Sequence, residues 1–252
     1  MITINPIPAF SDNYIWHLQR NDEHWVVDPG DAAPVVDALG ANKLAGILVT
    51  HHHFDHTGGV ADLVARYQCP VFGPASIDCV SHPLENGDQF TLLDVGATVI
   101  SVPGHTLDHI AIILREAGKY HLFCGDTLFA AGCGRLFEGT PEQMYSSLGK
   151  LAELPPDTRV YCAHEYTLAN LKFASAAEPD NEAIRARVAA AEELRHQGRP
   201  TLPSSIQLEQ DTNPFLRCGE AAVRRQAIQR GAAEDAGPVE IFATLRHWKD
   251  NF

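Results

Sequence analysis

Thr50-His51-His52-His53-Phe54-Asp55-His56 is the stretch on which the fold turns. It closes an aliphatic run over residues 46–50, where Ile47, Leu48 and Val49 favour a strand. In an extended segment His51 and His53, two apart, face the same side. Asp55 and His56, one turn further into a following helix, face elsewhere. Imidazole and carboxylate suit zinc, iron and similar divalent ions. One short segment can therefore feed two metals, provided more distant residues complete each shell.

Working outward, four further runs read as strands: 25–28, 98–102, 120–125 and 159–163, each rich in Val, Ile, Leu or aromatics. Three of them deliver another ligand type just past their ends: His105 after Pro103-Gly104, Asp126 after Gly125, and His164 after Ala163. Loops held at the ends of a rigid sheet are where ligands are most accurately placed. Asp126 is suited to bridging, because a carboxylate has two oxygens. With 13 histidines in the chain some clustering arises by chance. His17, His24, His82, His121, His196 and His247 are read as ordinary surface or packed residues, and His52 as a bystander within the run.

Two amphipathic helices lie among the strands. One covers about 59–67, with Val60, Leu63, Val64 and Tyr67 at helical spacing. The other starts from Thr140 as N-cap, with Pro141 as first residue and Gln143 completing a capping box. Its stripe is Met144, Leu148 and Leu151, and Pro155-Pro156 stops it. The last third is helical: Asp180 caps a helix bearing Ile184, Val188, Ala191 and Leu194, a second covers about 220–230, and a third starts at Pro238.

Length and composition fit one large domain with a smaller appendage. A formal net charge of −13 leaves no basic stripe for nucleic acid. No apolar run approaches the roughly 18 residues that would span a bilayer. The start, Met1 to Tyr14, has neither a basic n-region nor an apolar h-region, so no secretory signal is expected. The six cysteines form no C-x-x-C pair, which suits reduced thiols in a cytoplasmic protein.

The histidine segment, followed in order by His105, Asp126 and His164, resembles the signature of the metallo-β-lactamase superfamily. The resemblance implies an α+β fold, an αββα sandwich with the site along one edge of its two sheets. With the helical tail this gives a metal-binding domain over 1–165 and a small all-helical, substrate-binding domain over 166–252. It also implies that His51, His53 and His105 bind a first metal, that Asp55, His56 and His164 bind a second, and that Asp126 bridges them.

Other segments narrow the substrate. Phe10-Ser11-Asp12-Asn13-Tyr14, Val27-Asp28-Pro29-Gly30-Asp31, the run 125–135, Ala163-His164-Glu165-Tyr166-Thr167, Asn213-Pro214-Phe215 and Arg246-His247-Trp248-Lys249 are similar to the glyoxalase II family from end to end. That family implies hydrolysis of S-(R)-lactoylglutathione to (R)-lactate and glutathione, the hydrolytic step of methylglyoxal detoxification. The attack would come from metal-bound hydroxide, oriented by Asp55 and Asp126 as ligands. The cofactors would be two divalent ions per chain, zinc first, with iron or manganese as alternatives. Arg135, Tyr166, Arg246 and Lys249 would hold glutathione, with the helical domain covering the site.

The charge balance agrees, since an acidic chain must meet glutathione's carboxylates with local cations. Arg246 and Lys249, three apart on a helix, share a face, although a solvated basic helix end is their ordinary reading. Three positions depart from the family pattern: Arg135 where some relatives carry Lys, Phe137 where some carry Tyr, and Asp108 where Gly is expected. The implied partner is a small molecule, with no nucleic acid or membrane, and the chain is expected to act as a monomer. A persulfide dioxygenase of this fold would use one iron and a much shorter tail. A binding module without turnover would lack ligands, and all seven are present.

Overall fold

The structure, a computed structural model, describes Met1–Phe252. The chain begins β1 (Thr3–Ala9), β2 (Asn13–Arg20), β3 (Glu23–Val27), α1 (Ala32–Leu39), β4 (Leu44–Leu48), α2 (Phe54–Thr57) and α3 (Val60–Tyr67). It continues through β5 (Val71–Gly73), β6 (His82–Pro83), β7 (Gln89–Leu92), β8 (Val95–Ser101), β9 (Ile110–Glu116) and β10 (Lys119–Gly125). Next come β11 (Leu128–Phe129), β12 (Gly132–Cys133), α4 (Pro141–Ala152), β13 (Arg159–Cys162), α5 (Thr167–Ala177) and α6 (Glu182–His196). The last elements are β14 (Ser204–Ser205), α7 (Ile206–Thr212), α8 (Ala221–Ile228) and α9 (Pro238–Asp250).

These elements gather into two units that interleave along the chain. The first holds Met1–Val102, Asp108–Gly125 and Tyr161–His164. One of its sheets runs β1-β2-β3-β4-β5-β6, antiparallel at the β1 end and parallel from β3 onward. The other runs β13-β10-β9-β8-β7. Trp16 on β2 meets Tyr161 on β13 edge to face at 4.9 Å and donates its indole N–H to the Cys162 carbonyl. Phe72 on β5 stacks on Phe90 of β7 at 5.5 Å, so aromatic contacts stitch the sheets together. On the first sheet, Val26, Ile47, Val49 and Val71 join Val35 and Leu39 of α1 and Val60 and Leu63 of α3 in one buried cluster. The wide apolar stripe expected for α3 is what closes that core.

The second unit holds Pro103–Leu107, Asp126–Val160 and Glu165–Phe252. Here α4 has the capping box read from the sequence: the Thr140 side chain accepts from the Gln143 N–H, and the Gln143 side chain reaches back to the Thr140 N–H. Met144, Leu148 and Leu151 are buried, as their spacing requires. Tyr145 of α4 meets Phe242 of α9 edge to face. Leu171 and Ala174 of α5 pack with Ile184 and Ala191 of α6.

Two expectations shift. The cap of α6 is Asn181 rather than Asp180, its side chain accepting from the Ala183 and Ile184 N–H groups. Pro6 and Pro8 hide β1 from a strand reading, yet both are tolerated because β1 is an edge strand.

Candidate metal centre

In the first unit β4 runs out through Val49 and Thr50 into the histidine segment, and His53 caps the single turn of α2. Beneath this turn passes Gly30, where an added Cβ would fall 1.9 Å from the Asp55 carbonyl oxygen. Only glycine fits there. Asp28, buried and left-handed at φ 54°, accepts the Thr50 N–H at 2.8 Å and the Thr50 hydroxyl at 2.7 Å. Its Oδ2 also lies 3.1 Å from His56 Nδ1. The Thr50 oxygen, its hydrogen given to Asp28, stands 3.1 Å from His51 Nδ1 as an acceptor. The His51 imidazole is thereby held with N–H on Nδ1 and the lone pair on Nε2, the form that binds metals.

His56 Nε2 and His164 Nε2 lie 3.5 and 3.4 Å from Asp55 Oδ2. The donor atoms of Asp55, His56 and His164 all fall within 4.8 Å of one another, and so do those of Asp28, His51 and His56. Burial alone would raise the Asp55 pKa. The neighbouring His164, His56 and Asn13 side chains outweigh it and hold the carboxyl well below the usual range. The His51 ring lies 4.0 Å from that of His56 and 4.8 Å from that of His53. Imidazole nitrogens and a carboxylate oxygen converging in a largely buried place are the donor set of a divalent transition metal. The residues fit such an ion.

In the second unit His105 gives its Nδ1 hydrogen to the Arg135 carbonyl at 2.8 Å and turns Nε2 to within 3.5 Å of Asp126 Oδ2. A Cβ at Gly134 would sit 2.0 Å from the Asp126 carbonyl oxygen, so the chain passes this ligand only as glycine. His105 and Asp126 share a cavity of about 380 Å³ with Arg135, Tyr166, Arg246 and Lys249. All four expected glutathione contacts thus line one space with two expected metal ligands. Arg246 is 5% exposed rather than a solvated helix end; it donates to the Cys133 carbonyl at 2.9 Å and to Asp250 at 2.8 Å. Burial, and then the charges of Arg246 and Arg135, lower the Lys249 pKa. Exposed Phe137 sets its ring 5.2 Å from that of His105.

Residues 10–164 match the family model of the metallo-beta-lactamase superfamily, and residues 165–252 match that of the hydroxyacylglutathione hydrolase C-terminus. The hydroxyacylglutathione hydrolase of Pseudomonas aeruginosa (strain LESB58) is 54% identical, with all of both chains covered. The chain belongs to the hydroxyacylglutathione hydrolase family. The hydroxyacylglutathione hydrolase of Pseudomonas fluorescens (strain SBW25) is 53% identical, again over the whole of both chains. Among solved structures, ETHE1 from Myxococcus xanthus has a TM-score of 0.64 at 23% identity, covering 99% of this chain and 98% of that one. At that identity it shows the fold alone. Membership of this hydrolase family carries divalent-metal binding with it, in keeping with the donor sets above.

Several residues at the centre had no role assigned from sequence. Asp28 holds His56 and, through Thr50, His51. His109, wholly buried, stacks on His51 at 4.5 Å. Asp12 and Asn13 touch His164 and Asp55. Asp28 and the Asp12-Asn13 pair sit inside family-like segments; polar side chains so close to strand ends were the available signal. Asp108 needs no positive φ and instead accepts from Ser76 Oγ at 2.5 Å and faces His52 Nδ1 at 3.2 Å. The glycine expected there is therefore dispensable.

Proposed function

We propose that this hydroxyacylglutathione hydrolase family member cleaves the thioester S-(R)-lactoylglutathione to (R)-lactate and glutathione. The observation that carries the reading is the cavity in which His105 and Asp126 share walls with Arg135, Tyr166, Arg246 and Lys249. Its cations answer the two carboxylates of glutathione, and its ligand side chains answer the need for a hydrolytic centre. His51, His53 and His105 would hold one divalent ion, Asp55, His56 and His164 a second, with Asp126 shared. Zinc is the proposed metal, with iron or manganese as alternatives. Bound there, such ions lower the pKa of water and polarise a carbonyl.

The chain's own residues do the rest. Asp55 and Asp126 orient the nucleophile as ligands rather than as free bases. Lys249 and Arg135 pair with carboxylates at the glutathione end, while Arg246 supports the β12 wall through Cys133 and adds positive charge. Tyr166, packed edge to face on Phe129, offers a hydroxyl to the tripeptide. The leaving thiolate has a pKa of about 8.5 for a free thiol, so no separate general acid is called for.

Residues 1–165 and 166–252 are proposed as the metal-binding and substrate-binding domains, acting in a cytoplasmic monomer. All six cysteines are free, and no helix is long and apolar enough to cross a membrane. The test is hydrolysis of S-lactoylglutathione, followed at the thioester absorbance, with elemental analysis of the same sample. A fully metal-loaded protein that leaves the thioester intact would overturn the reading.

A further inference from the structure

We infer that Asp12 and Asn13, at the tip of the β1–β2 hairpin, are positioning residues that support one of the two metal sites and not the other. The inference rests on the two-site reading above. The hairpin closes at Ala9↔Asn13, and Phe10 takes the left-handed φ of 49° that turns the chain. The tip is then fastened to the end of β13. Tyr14 N–H donates to the Ala163 carbonyl at 2.6 Å, and Asn13 bridges His164 through the backbone.

From this fixed tip two adjacent side chains reach two ligands of the same set. Asp12 Oδ1 accepts the His164 Nδ1 hydrogen at 2.8 Å, because a carboxylate can only accept. That fixes the tautomer and leaves the His164 Nε2 lone pair facing Asp55 Oδ2. Asn13, buried, donates its amide hydrogen to the same Asp55 oxygen at 3.0 Å and so sets the rotamer of that carboxylate. Ser11 Oγ donates to Asp12 Oδ2 at 3.0 Å and steadies the first of the pair.

The contrast with Asp28 makes the support selective. Asp28 acts on His56 directly and on His51 through Thr50, one histidine from each proposed set. Asp12 and Asn13 act only on His164 and Asp55, both from the second. The hairpin tip therefore tunes the affinity of one metal while leaving the other to Asp28.

The test titrates the metal-free full chain with zinc against a chromogenic chelator. Wild type should take up two ions. Asp12→Ala and Asn13→Ala should keep one tight site and weaken the other by about 10–100-fold, the usual effect of losing an outer partner of a ligand. Asp12→Asn keeps an acceptor without the charge and should fall between. Asp28→Asn should weaken both sites. The melting temperature of each metal-free hairpin variant should match that of metal-free wild type, since a merely structural role would lower it. Two unchanged zinc affinities, or an equal loss at both, in Asp12→Asn and Asn13→Ala would overturn the inference. Wild type binding fewer than two ions would instead overturn the two-site reading, and this inference with it.

Discussion

At the scale of single residues, Lys249 and Asp126 carry the sharpest expectations. A charge-assisted hydrogen bond contributes roughly 1.5–3 kcal/mol, and an open cavity draws that toward the lower end. Lys249→Ala should therefore raise KM for the glutathione thioester about tenfold, 1.4 kcal/mol being one factor of ten. The contact is remote from the scissile carbonyl, so kcat should hardly move. Because burial and two neighbouring guanidinium groups lower the Lys249 pKa, its charge is lost at lower pH than in an ordinary lysine. KM should accordingly climb early on the alkaline side, and Lys249→Arg should postpone the climb. The unfolded chain keeps that proton to higher pH, so between the two pKa values this group makes stability rise with pH. Arg246→Ala should differ: it unmakes bonds to Cys133 and Asp250 and should lower the melting temperature as well as raise KM. Asp126→Ala should remove both activity and most of the metal, read by turnover and elemental analysis; full metal content would deny it a shared role.

At the scale of elements, the buried pair between α6 and α7 is the feature most open to test. Arg187 Nη2 meets Glu209 Oε1 at 2.5 Å, and Glu209 Oε2 accepts the Ala131 N–H at 2.7 Å, which ties α7 to the β11–β12 hairpin. Removing one member of a buried pair typically costs roughly 3–5 kcal/mol. Glu209→Ala should unfold at correspondingly lower denaturant and loosen the cavity wall carried by β12. None of this network was legible in the sequence, because Arg187 and Glu209 lie 22 residues apart in the chain and look like surface residues. What could be read were features whose cause is local: the Thr140 capping box, the apolar stripe of α3, and strands that run into ligands. The seven expected metal ligands could be proposed because each follows a strand, and four crowd one segment. Strand β1, with its two prolines, and helix α5, with its weak amphipathic pattern, were missed for local reasons too. The orienting residues Asp28, Asp12 and His109 were hidden because their work depends on neighbours that only folding supplies.

At the scale of the whole molecule, metal and fold should be linked. An ion that binds the folded chain alone stabilises it by about 2.7 kcal/mol when free at a hundred times its Kd. Chelation should lower the melting temperature and added zinc should restore it; a melting temperature indifferent to both would mean that the ligands bind no ion. The interleaving of the two units along the chain bears on how the protein is made. Synthesis runs from the N-terminal side, yet the Trp16 indole finds its acceptor on Cys162 only 146 residues later. Ala131 waits 78 residues for Glu209, and Cys133 waits 113 for Arg246. Synthesis must pass His164 before the first unit can close, and must pass Arg246 before the second can. A chain interrupted midway is therefore a client for chaperones and proteases, not a smaller enzyme.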